Sequence, residues 1–187
     1  MVKVNSCVFI SGKGTNLMAL INSSREYNFP VNIKLVISNK KNALGLNYAK
    51  RFSIPFIIVD TNKNNFEIKI LNEIKRKKIS LICLAGFMRI LSKKFIKNFK
   101  GNIINIHPSL LPKFKGINTF ERILKNNETQ AGCTVHHVSD KLDSGKIILK
   151  RSFLISKEDS ISTLKAKTQR IEYKTFSAAI MKLYSIS

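Results

Sequence analysis

Apolar residues along this chain fall into two alternating patterns. Continuous or alternating apolar runs of strand length occupy residues 1–10, 31–37, 54–59, 79–85 and 103–107. Between these runs, apolar positions recur at helical spacing after Leu17, across residues 43–51, and at Phe66, Ile70 and Ile74. Strands that alternate with helices predict an α/β fold, in which helices flank a mostly parallel, Rossmann-like sheet. The uninterrupted apolar run at 79–85 predicts a strand that is covered on both faces.

The second half of the chain has a looser pattern and predicts a more irregular part of the fold. We expect a helix over residues 117–124 and a strand over residues 132–138. The apolar triplets at 147–149 and 153–155 predict two strands across a short polar bend. Apolar positions from about residue 160 to the end predict a long amphipathic helix. Because no repeat, linker or low-complexity stretch interrupts the 187 residues, we predict one domain over residues 1–187.

The charge of the chain is strongly positive, with 33 Lys and Arg against 11 Asp and Glu and a net charge of +22. Such a balance raises the possibility of a nucleic-acid-binding protein. The basic clusters, at residues 40–41, 75–78 and 93–94, are short and are not interleaved with stacking aromatics. We therefore favour a solvated surface that attracts anionic small molecules over a dedicated nucleic-acid face.

The sequence also bears on the cellular compartment. No apolar run reaches the roughly 20 residues that cross a bilayer, so we expect no membrane association. The N-terminus is interpreted as a first strand because it lacks the longer apolar region and cleavage site of a signal peptide. Cys7, Cys83 and Cys133 are odd in number and two lie in apolar runs, which is typical of buried thiols in a reducing, cytoplasmic compartment.

A glycine-rich turn follows the first strand at residues 11–17, and a helix begins immediately after it. This arrangement presents backbone N–H groups and the positive end of a helix dipole to an anion. Gly14 allows close approach of a phosphate, and Thr15 and Asn16 can add side-chain hydrogen bonds. The turn lacks the Ser or Thr of a Walker loop after Lys13 and the third glycine of a dinucleotide fingerprint, so a simple tight turn remains an alternative.

Asn105 and His107 follow an apolar run and precede a segment that two prolines prevent from continuing as regular structure. An Asp such as Asp143 can orient and charge an imidazole, which then donates a proton or stabilises an oxyanion, while Asn105 adds a neutral donor. We expect the carboxylate to raise the pKa of His107. No Ser or Cys is placed as a nucleophile, which suggests that the substrate supplies its own.

Two other interpretations of the histidines remain open. His107, Cys133, His136 and His137 could form a zinc site, although the Cys-x-x-His spacing lacks a matching second pair. If the strand alternates, one of His136 and His137 faces the core, where a packed and hydrogen-bonded histidine is the common role. We therefore predict no metal.

Parallel strands place their ligands outside their carboxyl ends. The glycine turn, residues 86–89, and Asn105 with His107 all follow predicted strands. We therefore expect these three groups to lie at one edge of the sheet.

Four motifs in sequence order carry a resemblance to a known family. They are Ser-Gly-Lys-Gly-Thr-Asn-Leu at 11–17, Leu-Ala-Gly-Phe-Met-Arg-Ile-Leu-Ser at 84–92, Asn-Ile-His-Pro-Ser-Leu-Leu-Pro at 105–112, and Gly-Cys-Thr-Val at 132–135 followed by Leu-Asp-Ser-Gly at 142–145. Together they resemble the phosphoribosylglycinamide formyltransferases, folate-dependent enzymes of purine synthesis, over nearly the whole chain. The resemblance implies transfer of a formyl group from the co-substrate 10-formyltetrahydrofolate to the amine of glycinamide ribonucleotide.

The resemblance also implies roles for particular residues. Asn105 and His107 would stabilise the tetrahedral oxyanion, and Asp143 would hold His107 protonated and help to move the proton of the amine. The ribonucleotide would be bound by Gly14, Thr15, Asn16 and Glu172. The folate site would be lined by Met88, Arg89, Ile90, Leu91, Val138, Ser139, Asp140, Lys141 and Leu142. The partners would be small molecules, and the protein a monomer or weak dimer.

Several positions depart from the family pattern without removing a member of the catalytic set. They are Lys115 in place of a proline, Phe120 in place of a histidine, His137 in place of an aromatic or apolar residue, Tyr173 in place of a histidine, and Ser177 in place of a proline. A related methionyl-tRNA formyltransferase would need a further C-terminal domain, and a formyltetrahydrofolate hydrolase usually has an N-terminal one, so we expect neither. A hydrolase-like enzyme and a basic nucleic-acid-binding protein remain the alternatives.

Overall fold

The computed structural model describes residues 2–63 and 65–184. Met1 and residues 185–187, which the sequence assigned to the first strand and the last helix, lie outside the described residues. The strands in the described residues are β1 (Val4–Ile10), β2 (Val31–Ser38), β3 (Phe56–Ile58), β4 (Leu81–Leu84), β5 (Asn102–His107), β6 (Gln130–His137) and β7 (Ile147–Leu154). The helices are α1 (Thr15–Ser24), α2 (Leu46–Arg51), α3 (Phe66–Arg76), α4 (Lys93–Asn98), α5 (Thr119–Lys125) and α6 (Ile161–Tyr184).

The strands of the described residues form one sheet in the order β3-β2-β1-β4-β5-β6-β7. The first five strands are mutually parallel, and β6 runs antiparallel to both of its neighbours. The chain changes direction across the sheet between β1 and β4, which is the switch point where ligands of such folds bind. The predicted α/β class, with a mostly parallel sheet and a long C-terminal helix, is confirmed.

Each face of the sheet buries its own core because side chains alternate along a strand. On one face, Ile104 and Ile106 belong to a cluster with Leu17 of α1 and Phe176 of α6. On the other face, Ile103 belongs to a cluster with helices α3 and α4. Residues 105 and 107 share the parity of Ile103, so their side chains leave the sheet on the α3 and α4 side.

One strand prediction is wrong. The polar stretch of Lys150, Arg151 and Ser152 was expected to be a bend between two short strands, whereas it lies inside the single strand β7. Both Lys150 and Arg151 are in register with β6, opposite Thr134 and Cys133. The stretch is polar because β7 is the last strand of the sheet and is largely exposed.

Other differences concern short elements. Helix α4 was not predicted, because it has only six residues and one buried side chain, Phe95. Its start is fixed by Ser92, whose hydroxyl accepts a hydrogen bond from the Phe95 N–H at 3.0 Å. Helix α2 begins at Leu46 rather than near residue 43, and β3 covers only three residues. Among the described helices, none combines the length and hydropathy that a bilayer crossing requires.

Candidate active site

His107 ends β5 and is only 6% exposed. Its Nε2–H donates to the carbonyl oxygen of Phe114 at 2.9 Å, and its Nδ1 lies 3.3 Å from Asp143 Oδ2. In the neutral His107 ring the single proton lies on Nε2, so Nδ1 faces the Asp143 carboxylate without a hydrogen between them. A second proton, on Nδ1, would satisfy both contacts with charge-assisted hydrogen bonds.

Asp143 acts on the pKa of His107 in the expected direction, but the net pKa is lowered rather than raised. Burial lowers this pKa, because an imidazolium loses its hydration in a site closed to water. The contacts with Phe114 and Asp143 act in the opposite direction but do not outweigh burial. The nearby charges of His136 and Arg122 lower the pKa further.

Asp143 lies in the loop after β6 with a left-handed backbone, φ 46°. Its Oδ2 accepts a hydrogen bond from the Gly116 N–H at 2.9 Å, and its Oδ1 lies 3.6 Å from His136 Nε2. Burial favours the neutral carboxyl, but the His136 ring and the Gly116 N–H favour the carboxylate more strongly. The pKa of Asp143 is therefore below its ordinary value, and the group is ionised at neutral pH.

Asn105 and His136 face each other because β5 and β6 pair in antiparallel register at these residues. Asn105 Nδ2 lies 3.2 Å from His136 Nε2, and His136 Nδ1–H donates to the His137 carbonyl at 2.8 Å. The same Nε2 of His136 therefore faces both the Asn105 amide and the Asp143 carboxylate.

His136 is the buried member of the histidine pair, as strand alternation predicted. It also contacts two of the predicted catalytic residues, Asn105 and Asp143, a role that the sequence analysis did not assign. Only the pairing register of β6 with β5 places it there, and no local pattern encodes that register.

The glycine turn precedes α1 as predicted, and Gly14 is the N-cap residue with φ 72°. Gly14 also packs directly on Gly45 at the start of α2, since a Cβ added to Gly14 would lie 2.4 Å from the Gly45 Cα. The Gly45 N–H donates to the Gly12 carbonyl at 2.9 Å. The turn is thus held against a second helix start, and the first N–H groups of α1 have no partner within the helix.

Side chains from the last helix meet the start of α1. Asn16 Nδ2 donates to Glu172 Oε2 at 2.9 Å, and Gln169 Nε2 donates to Thr15 Oγ1 at 2.7 Å. Burial raises the pKa of Glu172, and the bond from Asn16 offsets part of that rise. The Oδ1 atom of Asn16 is buried and has no hydrogen-bond partner.

Gln169 is a second residue that the sequence analysis missed. It lies three positions before Glu172, and residues three apart share a face of a helix. That spacing was the available signal, and it would have placed Gln169 beside the same turn.

The predicted folate residues after β4 divide into exposed and buried ones. Met88 is 69% exposed and Ile90 78%, and Arg89 is also exposed, whereas the Leu91 side chain is 4% exposed and belongs to the α3 and α4 core. Leu91 therefore has only its backbone to offer a ligand. The Met88 N–H donates to Ser11 Oγ at 2.8 Å, which ties this segment to the end of β1.

The predicted folate residues after β6 form a polar turn. Ser139 Oγ donates to the Lys141 carbonyl at 3.0 Å, and Asp140 lies 3.7 Å from Lys93 Nζ of α4. Val138 packs partly against the α3 and α4 core, and Leu142 is exposed.

The departures from the family pattern have individual contacts. Lys115 Nζ donates to Ser144 Oγ at 2.6 Å, and Ser177 Oγ lies 2.8 Å from Ser23 Oγ of α1. Phe120 packs in a small apolar cluster below α5. His137 is partly buried, which lowers its pKa, and no contact explains Tyr173.

The zinc interpretation finds no counterpart in the part of the chain described. No group of three or more His, Cys, Asp or Glu side chains there is placed to hold a metal ion. Cys133 and His136 are three residues apart in a strand, so they project to opposite faces of the sheet. Burial raises the pKa of Cys133 to about 11, and Cys7, Cys83 and Cys133 are all buried and free.

Two clusters thus lie near the carboxyl ends of β1 and β5. Thr15, Asn16, Gln169 and Glu172 surround the turn after β1, and Asn105, His107, His136 and Asp143 lie at the end of β5. Only β4 separates β1 from β5 in the sheet. Since neighbouring strands lie about 4.8 Å apart, the strand ends that carry the two clusters are about 10 Å apart along the edge of the sheet.

The chain belongs to the formyl transferase family, whose sequence profile matches residues 4–180. It is 41% identical to the phosphoribosylglycinamide formyltransferase of Haemophilus influenzae, over 92% of this chain and 84% of that protein. A crystal structure of phosphoribosylglycinamide formyltransferase from Brucella melitensis superposes with a TM-score of 0.93 at 36% identity, covering 99% of this chain and 97% of that one. The resemblance drawn from the four motifs is confirmed.

Longer relatives are also similar. The chain is 42% identical to the human trifunctional purine biosynthetic protein adenosine-3, over 98% of this chain but 18% of that protein. The chain thus spans about a fifth of the length of the trifunctional relatives it matches.

Proposed function

We propose that this protein transfers a formyl group from 10-formyltetrahydrofolate to the primary amine of glycinamide ribonucleotide. The observation that carries the proposal is the His107–Asp143 pair beside Asn105, about two strand spacings from a helix start suited to a phosphate. The names of the full-length relatives point to the same acceptor.

The proposed reaction needs no nucleophile from the protein. The amine of the acceptor attacks the formyl carbon, and the carbon–nitrogen bond that forms leaves a tetrahedral intermediate with a negative oxygen. Asn105 donates an amide hydrogen to this oxygen, and the His107 ring, whose two nitrogens contact Phe114 and Asp143, stabilises it through its positive charge when protonated. Because a developing negative charge favours the imidazolium, the pKa of His107 rises as the charge appears.

Asp143 provides for the proton that the amine must lose. Its carboxylate is ionised at neutral pH, and it accepts this proton through a water molecule while its other contacts hold the His107 ring. Collapse of the intermediate breaks the bond between the formyl carbon and N10 of the folate, and the proton held on Asp143 passes back through the water to N10 as it leaves. Atoms and charge balance without a metal or a redox step.

Binding of the acceptor is assigned to the turn after β1. Gly14 and Thr15 present backbone N–H groups to the phosphate, and Asn16 adds its side chain. Glu172 is held beside them by its bond to Asn16, which leaves its second oxygen for a hydroxyl or the ammonium of the acceptor.

Binding of the formyl donor, 10-formyltetrahydrofolate, is assigned to exposed apolar side chains in the segments after β4 and β6. Met88 and Ile90 after β4 and Leu142 after β6 leave apolar side chains exposed, and such surface suits a flat aromatic ring system. Backbone groups of residues 138–142 and of Leu91 supply polar contacts for the pterin.

The test is an assay of formyl transfer with glycinamide ribonucleotide and with water as competing acceptors. We expect the wild type to formylate the ribonucleotide, and His107→Ala to lower kcat by about 10²–10³-fold, the usual effect of losing a group that stabilises the oxyanion. His137→Ala, in the neighbouring strand but outside the cluster, serves as the control. Near wild-type turnover by His107→Ala would refute the mechanism, and transfer only to water would indicate a hydrolase.

The net charge of +22 is the observation that favours a second candidate, a basic nucleic-acid-binding protein. Salt-sensitive binding to single- or double-stranded oligonucleotides without any formyl transfer would support it. We further propose a cytoplasmic location, in keeping with three buried free thiols. The family resemblance leads us to propose a monomer or weak dimer as well.

A further inference from the structure

The tripeptide at residues 114–116 contacts both members of the proposed catalytic pair. The Phe114 carbonyl accepts the hydrogen bond from His107 Nε2 at 2.9 Å, and the Gly116 N–H donates to Asp143 Oδ2 at 2.9 Å. A displacement of this short segment would therefore disturb the orientation of the imidazole and of the carboxylate together.

Two residues of this segment have a left-handed backbone conformation. Phe114 has φ 57° and Gly116 has φ 79°, and the left-handed region is unfavourable for a phenylalanine. Residues other than glycine keep a positive φ only where surrounding contacts hold their backbone in place.

Arg122 of α5 provides such contacts. Its Nη1 donates to the Lys115 carbonyl at 2.6 Å and to the Ile117 carbonyl at 3.4 Å. Its guanidinium carbon lies 5.5 Å from the centroid of the Phe114 ring, within the range of a cation–π contact. One side chain thus spans the residues on both sides of Gly116 and stacks on the residue whose carbonyl receives His107.

Lys115 provides a second connection, on the other side of the site. Its Nζ donates to Ser144 Oγ at 2.6 Å, and Ser144 directly follows Asp143. The Ser144 hydroxyl in turn donates to the Leu142 carbonyl at 2.9 Å. The side chain at this position therefore joins the segment behind His107 to the loop that carries Asp143.

We infer that Arg122 and Lys115 are positioning residues for formyl transfer, which hold residues 114–116 so that His107 and Asp143 keep their mutual geometry. The inference rests on the proposed function of the pair. It gives Lys115, which stands where the family usually has a proline, a compensating role: a side-chain bond replaces the rigidity of the proline ring.

Arg122→Lys separates position from charge, because lysine keeps the positive charge but lacks the planar fork and the stacking surface. We expect kcat to fall about tenfold, since small misplacement of reacting groups has effects of this order. We expect KM for both substrates to stay within about twofold, because Arg122 contacts neither proposed binding region.

The second readout is the pKa of His107, measured by NMR of the histidine rings. Loss of the Phe114 acceptor at constant charge should lower this pKa below its wild-type value. Arg76→Lys is the matched control, since Arg76 is exposed and donates through Nε and Nη2 to Glu73 on α3, away from the site. Arg76→Lys should leave both readouts unchanged.

The Lys115 connection is tested by a double-mutant cycle with Lys115→Met and Ser144→Ala. If the two side chains act through their mutual bond, each variant lowers kcat severalfold and the double variant is no slower than the worse single one. Fully multiplicative effects would overturn this part of the inference.

The assay and the NMR measurement distinguish a wrong positioning role for Arg122 from a wrong proposed function. An active wild type with unchanged kcat and unchanged His107 pKa in Arg122→Lys overturns the positioning role alone. A wild type that transfers no formyl group overturns the proposed function, and the NMR measurement then still decides whether Arg122 holds the His107 geometry. A large fall in melting temperature with normal kcat would assign Arg122 to stability only.

Discussion

The two nitrogens of the His107 ring meet different partners, a neutral carbonyl at Nε2 and a carboxylate at Nδ1. Burial nevertheless lowers the pKa of the ring. The residue thus combines contacts that suit an imidazolium with surroundings that disfavour it. Such an opposition suits a group that should become charged only while a neighbouring oxygen becomes negative.

His107 has a consequence for stability against pH. Its folded pKa is below the unfolded value near 6.5, so the unfolded chain binds this proton first, and stability falls as pH decreases below about 6.5. We expect His107→Gln to show a smaller loss of unfolding free energy than the wild type between about pH 8 and 5.5. Urea unfolding across this range measures it, and parallel curves for the two proteins would contradict it.

Glu172 illustrates a conflict between binding and stability. Burial raises the pKa of Glu172, because a buried carboxylate costs folding free energy. This cost is absent below about pH 4.3, where the carboxyl is neutral in both states, and it appears as pH rises through the folded pKa. We expect Glu172→Gln to stabilise the protein by about 1 kcal/mol at pH 7 and by much less near pH 4. The same variant should raise KM for the ribonucleotide in the transfer assay. Equal stabilisation at both pH values would show that burial of charge is not the cause.

Helix α6 packs against both α1, near the start of the chain, and the strands β6 and β7. It carries Phe176 into the core beside α1, and it brings Gln169 and Glu172 to the turn after β1. Two buried threonines on this helix differ in one respect. Thr175 Oγ1 donates to the Ile171 carbonyl at 2.7 Å, whereas Thr168 Oγ1 is buried without a hydrogen-bond partner.

This difference predicts opposite effects of the same substitution. Thr168→Val should stabilise the protein by about 1 kcal/mol, because it removes an unsatisfied hydroxyl at nearly constant volume. Thr175→Val, the matched control, should destabilise it by a similar amount, because it removes a made hydrogen bond. Thermal or urea unfolding of both variants tests the pair, and a loss of stability in Thr168→Val would contradict the assignment.

The elements that the sequence predicted are those with a continuous local signal. The run before Ala85 and the helix with Ile70 and Ile74 are found as expected, because burial on both faces or on one face leaves a period in the sequence. Helix α4 was missed because six residues are too few to show a helical period.

The site residues also divide into those with a local signal in the sequence and those without one. Residues 105 and 107 were recognised because prolines and an apolar run mark the end of a strand. His136 was not recognised as part of the site, because its place opposite Asn105 depends on the pairing of β6 with β5. The lowered pKa of His107 was also out of reach, since it follows from burial by residues distant in sequence.

At the scale of the whole molecule, the excess of 22 positive charges acts on any anionic substrate. Such a field increases the rate of encounter and is screened by salt. We expect kcat/KM for the ribonucleotide to fall severalfold between about 0.05 and 0.5 M salt, with little change in kcat. A glycinamide acceptor without the phosphate is the control. An equal response of both acceptors would contradict a steering role for the charge.

The strand β7 adds a further consequence. The outer edge of a terminal strand can template aggregation with another chain, and in β7 the Ile148 carbonyl accepts a hydrogen bond from Lys182 Nζ at 3.0 Å. In β7, Lys150 and Arg151 interrupt the apolar residues in the middle of that edge, and charges at this position oppose the docking of a second strand. The polar stretch that concealed β7 in the sequence is thus the same stretch that opposes edge-to-edge association at this end of the sheet.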